Sequence, residues 1–306
     1  DSRKAHSGKG FESLEDFFSS IDLRRVNKKT VECLIKAGAF DGFGANRAEL
    51  TDNYPRFIER ADQAKRDSEM GQVSLFAFAD EVQEQEKVRI ESRPPWGRSE
   101  RLIHEKEVLG FYLSDHPLVG LDKLVQKWTK GSLQEFVDKA NKTQVCVLGL
   151  VSSMREIITK KGTRMAFAVL EDLTGTAELV IFPDPFGKYE SLLRSDLALL
   201  VSGTLEKEQG VYKILVDEIR SVYDVLAQAK SMVLKLRPQS VDRLSRLQEL
   251  LTQHPGETSL SLELSLPDLS KSVQLESLAP RTVKASQKLM ENLGALMGQD
   301  LGVSFQ

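Results

Sequence analysis

The 306 residues are 41% hydrophobic and 28% charged, with a formal net charge of −3. That is an ordinary soluble composition of two or three domains without a global basic field, so any nucleic-acid contact must come from local patches. No run of eighteen apolar residues occurs and Asp1-Ser2-Arg3-Lys4 offers no signal core, so neither membrane insertion nor export is expected and the cytoplasm is the expected compartment. Cys33 and Cys146 fall in helical and strand patterns and read as buried thiols, as a reducing compartment allows. The chain starts without Met and in mid-pattern, as a piece of a longer protein would.

In chain order, Phe11, Leu14, Phe17, Phe18 and Ile21 recur at helical spacing. Ser13 is placed to cap that helix, with Asp16 at the capping-box offset. Asn27 is a cap for a second helix from Lys28 to Ala37, and Gly38 can end it in the left-handed conformation. Two short helices around a basic turn resemble a helix-hairpin-helix, in which backbone amides and cations grip phosphates. Arg24, Arg25, Lys28 and Lys29 are the candidate phosphate contacts, or else a solvated basic face; the usual glycine-rich hairpin is missing. Residues 55–70 continue as a charged helix and 80–98 carry the turn chemistry of Pro94-Pro95-Trp96-Gly97. Residues 99–113 predict a helix with Leu102, Ile103, Val108, Leu109 and Phe111 as its apolar positions. Leu118 to Val137 reads as short helical packing.

The stretch from Thr143 to Tyr223 predicts five strands with a helix between the third and fourth. That is the order of an OB-fold barrel, which binds a single strand on one face and with its loops. The strands are an alternating run ending at Val151, Met165–Leu170, Thr176–Phe182, Leu197–Leu205 and Val211–Val222. On the second strand, Met165, Phe167 and Val169 point one way and Ala166, Ala168 and Leu170 the other. The turn before it carries Lys160, Lys161 and Arg164. A cationic loop beside aromatic rings suits a single strand, because phosphates take the charge and bases stack. Phe167 and Phe182 are the candidate rings, with core filling as the alternative for each. Asp172-Leu173-Thr174-Gly175 reads as a structural turn.

From about Ser231 a βαββα pattern predicts one sheet face covered by two helices. The whole chain is thus expected to be multidomain α+β. A second isolated feature is Gly71-Gln72-Val73-Ser74-Leu75-Phe76, an apolar pair between a charged helix and a polar linker, which packs back on the body or docks in a partner's groove. His6, His104, His116 and His254 are scattered, and no glycine-rich phosphate loop or Gly-x-Ser-x-Gly elbow occurs. No catalytic residue, metal site or cofactor is therefore expected.

Several segments together resemble the C-terminal portion of the alpha subunits of bacterial DNA polymerase III, the C-family replicative polymerases. They are Phe11-Glu12-Ser13-Leu14-Glu15-Asp16-Phe17, Val26-Asn27-Lys28-Lys29 with Leu34 to Asp41, Glu105-Lys106-Glu107-Val108-Leu109-Gly110-Phe111-Tyr112-Leu113-Ser114-Asp115-His116-Pro117-Leu118, Lys160 to Phe167 and Leu170 to Gly175. The resemblance implies that residues 1–60 are the second half of a helix-hairpin-helix region that holds duplex. It implies that 61–98 contain the docking segment for the ring-shaped sliding clamp, through Gln72, Leu75 and Phe76, followed by a linker. Residues 99–142 become a helical connector, 143–225 the OB domain on single-stranded template, and 230–306 the tail that binds the tau subunit of the clamp loader. The polymerase palm lies upstream in that family, so this chain is not expected to polymerise alone. The alternatives are a free-standing OB-fold single-stranded-DNA repair adaptor and the error-prone paralogue of the same polymerase.

Overall fold

The computed structural model describes residues 10–22, 25–69, 88–208, 211–266, 271–276, 280–298 and 301–306. The chain divides into two compact units, Asp1–Asp115 and His116–Gln306.

The first unit is helical. Helix α1 (Leu14–Ser20) starts where Ser13 accepts the Asp16 N–H. The Asp16 carboxylate takes the Glu12 N–H at 3.0 Å, one residue before the position an ideal capping box would use. Helix α2 (Lys28–Lys36) is capped by the Asn27 side chain on the Thr30 N–H at 2.9 Å. It ends as expected at Gly38 (φ 81°), with the Gly38 N–H on the Ile35 carbonyl and the Ala39 N–H on the Leu34 carbonyl. That pair of bonds satisfies two carbonyls of the last turn. Helix α3 (Arg47–Glu69) and helix α4 (Arg98–Leu109) complete the unit.

Its core is aromatic. The Phe17 ring meets Phe40 edge-on at 4.9 Å, and Phe18 stacks on Phe57 at 5.5 Å. Each ring so buried contributes roughly 3 kcal/mol of transfer free energy. Helix α4 stops at Leu109, short of the expected 113, because Gly110 turns left-handed (φ 80°). Of its expected apolar positions Leu102 is buried, while Ile103 and Phe111 are exposed.

The second unit opens with two short helices, α5 (Leu121–Val125) and α6 (Leu133–Phe136), and then the closed barrel. Strands β1 (Gln144–Ile158), β2 (Arg164–Glu171), β3 (Thr176–Ile181), β4 (Leu199–Glu208) and β5 (Val211–Ser221) close in the order β1-β2-β3-β5-β4. Helix α7 (Pro183–Leu193) lies between β3 and β4 in sequence and puts Phe186, Tyr189 and Leu193 into the barrel's core.

Closure depends on β1 serving two neighbours. Gln144–Gly149 pair with β4 and Leu150–Ile158 with β2, with a bulge between Val151 and Ser153. The strand therefore runs well past the expected end at Val151. Gly149 stands at the changeover, where a Cβ would lie 2.5 Å from Leu170 Cγ, so only glycine allows this approach.

Helix α8 (Val222–Ala227) leads to an open sheet. Strand β6 (Ser231–Leu236) crosses through α9 (Leu244–Thr252) to a parallel β7 (Thr258–Leu266), which β8 (Lys271–Glu276) and the short β9 (Thr282–Val283) join antiparallel. Helix α10 (Gln287–Met297) follows, and Leu247, Leu251, Leu289 and Leu293 of the two helices are buried. The sequence pattern gave βαββα; the structure adds β9 and a final strand, β10 (Leu301–Phe305), antiparallel to β6.

Candidate nucleic-acid interface

The barrel's outer face over β1, β2 and β3 is built by strand parity. Ala166, Ala168 and Leu170 are buried in the core, so Met165, Phe167 and Val169 lie on the opposite face of β2. Phe167 pairs across with Arg155 on β1 and with Val180 on β3, and Val180 pairs with Leu215 on β5. The Arg155 guanidinium lies over the Phe167 ring, 5.6 Å from its centroid. Phe182 follows the end of β3 in extended backbone (φ −63°, ψ 166°) and keeps the parity of Val180. Its side is 46% exposed, whereas Phe167 is half-buried under Arg155. The two candidate rings thus share one face. Arg155 was not singled out from the sequence, because β1 was read as ending before it.

At one end of this face the β1–β2 hairpin projects. Its turn is tied by the Gly162 N–H on the Thr159 carbonyl (2.9 Å), the Thr159 N–H on the Thr163 carbonyl (2.8 Å) and a 2.7 Å bond between the two threonine hydroxyls. Lys160 and Lys161 are exposed on it, and neither has a carboxylate within ion-pair distance among the described residues. Phe167 pairs with Arg155 three register steps from the hairpin's last pair, Ile158 with Arg164. At strand rise this is about 10 Å, comparable to one or two nucleotides of an extended strand.

Arg164, unlike the two lysines, is paired with carboxylates. Its guanidinium bonds Glu156 at 2.6 Å and Glu190 of α7 at 2.8 Å, and lies 5.1 Å from the centroid of the Phe186 ring. Arg194, at the end of α7, bonds the same two carboxylates, Glu190 at 3.1 Å. The Arg164 bond is the main reason that both carboxyls sit below the usual range, with Arg194 adding to it. Two arginines and two glutamates therefore balance one another beneath the hairpin.

The turn after β2 is structural, as its composition suggested. Asp172 accepts the N–H of Thr174 at 2.6 Å and of Gly175 at 2.9 Å, and its other oxygen takes the Leu133 N–H at 2.8 Å. It anchors the start of α6 on the barrel.

In the first unit Arg25, Lys28 and Lys29 are exposed around the start of α2, with Arg25 3.7 Å from Asp22. Arg24 lies outside the described residues, as do Gln72, Leu75 and Phe76. The segment after α4 has a definite role that the sequence did not disclose. Glu105, fully buried, bonds Arg47 at 2.8 Å and accepts the N–H groups of Leu113 (2.8 Å) and Ser114 (2.9 Å). Burial alone would push its carboxyl up; the Ser114 N–H, the Arg47 guanidinium and the Leu113 N–H outweigh that and hold it at about 2. Arg47 also bonds Asp41 at 2.7 Å and the Lys36 carbonyl at 3.1 Å, and its guanidinium is held above its ordinary range chiefly by Asp41.

Among the described residues no three His, Cys, Asp or Glu side chains are grouped to hold a metal ion, and no helix is long and apolar enough to cross a membrane.

Comparison with known proteins follows the same divisions. Residues 145–222 match the family described as OB-fold nucleic acid binding domain, and residues 2–50 the helix-hairpin-helix motif. The DNA polymerase III subunit alpha of Pasteurella multocida (strain Pm70) is 32% identical over 253 residues, covering 81% of this chain and 22% of that protein. That of Escherichia coli (strain K12) is 28% identical over 301 residues, covering 96% of this chain and 26% of its own. That of Saccharopolyspora erythraea is 29% identical over 280 residues, covering 86% and 24%. The chain thus spans about a quarter of the length of the curated relatives it matches.

Proposed function

The chain is related along most of its length to DNA polymerase III alpha subunits, and from that relationship we propose that it is a strand-handling and tethering part of a replicative polymerase. The barrel holds single-stranded template across its outer face. Bases stack on Phe167 and Phe182, Arg155 supplies a planar cation beside the first ring, and Lys160 and Lys161 take phosphates. The exposed cations at the start of α2, Arg25, Lys28 and Lys29, with Arg24 before them, grip duplex phosphates as helix-hairpin-helix units do. Gln72, Leu75 and Phe76 dock the sliding clamp, and the terminal sheet docks the tau subunit of the clamp loader. A short clamp motif suffices because tethering makes the second contact intramolecular, at an effective concentration on the order of millimolar.

The observation that carries this reading is the outer face itself. It brings Phe167, Phe182 and Arg155 together beside two lysines with no carboxylate partner among the described residues. Titration of the chain with oligo(dT) tests it. Phe167→Ala and Phe182→Ala should each weaken binding by about 1–3 kcal/mol, the worth of one stacked base. Unchanged affinity in both would remove the platform. Calorimetry against a bacterial sliding clamp tests the tether: Gln72→Ala/Leu75→Ala/Phe76→Ala should abolish a micromolar interaction, and equal binding by the triple variant would refute it.

A further inference from the structure

We propose that Arg164 is a positioning residue: with Glu156, Glu190 and Arg194 it clasps the β1–β2 hairpin to α7 and so fixes where Lys160 and Lys161 meet a single strand. This rests on the strand-binding reading of the barrel and deepens it.

The need for a clasp follows from the hairpin's shape. Among the described residues β3 pairs with β2 only as far as Ala166 and β4 with β1 only as far as Gly149, so the end of the hairpin at Ile157–Met165 and Ile158–Arg164 is two-stranded, and Ile158 is 75% exposed. A two-stranded projection is marginal in water and swings about its base. The four charges sit at that base. Glu156 and Arg164 belong to the hairpin, and Glu190 and Arg194 to the second half of α7 and its end. Both arginines reach both carboxylates, so each hairpin charge is tied to α7 by a bond of 3.1 Å or shorter. The Arg164 guanidinium also lies over Phe186, whose ring belongs to the barrel's core. The hairpin is thereby referenced to the rigid part of the fold.

Charge and parity agree. Arg164 shares the parity of Ala166 and Ala168, which face inward, while the proposed strand path lies on the face of Phe167. Its donors are already matched to two carboxylates. Lys160 and Lys161, a few residues away, have no such pairing among the described residues. The cations divide into one that fixes the hairpin and two that are presented by it.

Two readouts test this. Amide hydrogen exchange without DNA reports the clasp at Thr159, Gly162 and Thr163, whose N–H groups close the turn. Oligo(dT) affinity reports its consequence. Arg164→Gln should speed exchange at those amides and weaken oligo(dT) binding by about fivefold, the scale of one good exposed pair. Exchanging the charges, as Glu156→Arg with Arg164→Glu, keeps the four-charge composition and should restore both. A direct phosphate contact predicts otherwise: affinity stays low in the exchange variant, because a carboxylate then stands at 164, and amide exchange is unmoved by Arg164→Gln. That pattern overturns the proposal. If the wild-type chain binds no oligo(dT), the strand-binding reading falls, and amide exchange still decides whether the clasp exists.

Discussion

Arg47 and Arg164 each join two carboxylates, and they do so in opposite surroundings. The Arg47 side chain is 10% exposed and its partner Glu105 not at all; Arg164 is 51% exposed, beside glutamates open to water. In the first unit the pair is walled in by α2, α3 and the segment after α4, so both oxygens of Glu105 have a named donor. In the barrel the four charges are screened by solvent and act by geometry more than by energy. The same residue chemistry is therefore a structural keystone in one unit and an adjustable clasp in the other, because burial sets the cost of losing a partner.

Breaking the buried pair should have the largest effect. Glu105→Ala leaves the Arg47 cation without its buried partner and the Leu113 and Ser114 N–H groups unsatisfied, and should cost about 3–5 kcal/mol by urea unfolding. Gly38→Ala comes next. Its φ of 81° disfavours any side chain, and a Cβ there would stand 2.2 Å from the Arg47 guanidinium. A loss of about 2 kcal/mol or more is expected, measured the same way. Acid sharpens the contrast. The Glu105 carboxyl sits at about 2 when folded against 4.5 as its ordinary value. A lowered carboxyl stabilises the fold above its unfolded value, and that contribution is lost as pH falls from about 4.5 towards 2. Unfolding free energies taken from pH 7 to pH 2 should fall more steeply in the wild type than in Glu105→Gln; parallel curves would contradict the assignment. At the exposed site, Arg164→Gln should leave the unfolding free energy close to that of the wild type, because solvent screens the four charges. A marked loss would make the two arginines alike after all.

What the sequence disclosed and what it hid divide along local and non-local physics. The caps Ser13 and Asn27 and the turn at Gly38 were legible because the groups they satisfy lie within four residues. The barrel was legible because strand parity separates Ala166, Ala168 and Leu170 from Phe167 without knowledge of any partner. Arg155 was hidden by the bulge between Val151 and Ser153, which resets parity and makes the apolar alternation seem to stop. Strand β10 was hidden by its brevity; Leu301, Val303 and Phe305 alternate over only five residues. The pairings of Arg47 with Glu105 and of Arg164 with Glu190 span 58 and 26 positions, and no local pattern marks them. The clamp residues Gln72, Leu75 and Phe76 lie outside the described residues and stand on the sequence pattern and the resemblance.

The most direct measurement of the central claim is the salt dependence of oligo(dT) binding by the wild-type chain and by Lys160→Ala/Lys161→Ala. Each phosphate neutralised on a single strand contributes a slope of about −0.7 in log affinity against log salt. A strand-binding barrel predicts salt-sensitive binding in the wild type and a slope smaller by roughly 1.4 in the double variant. Binding that does not respond to salt, or a slope the two lysines leave unchanged, would contradict it.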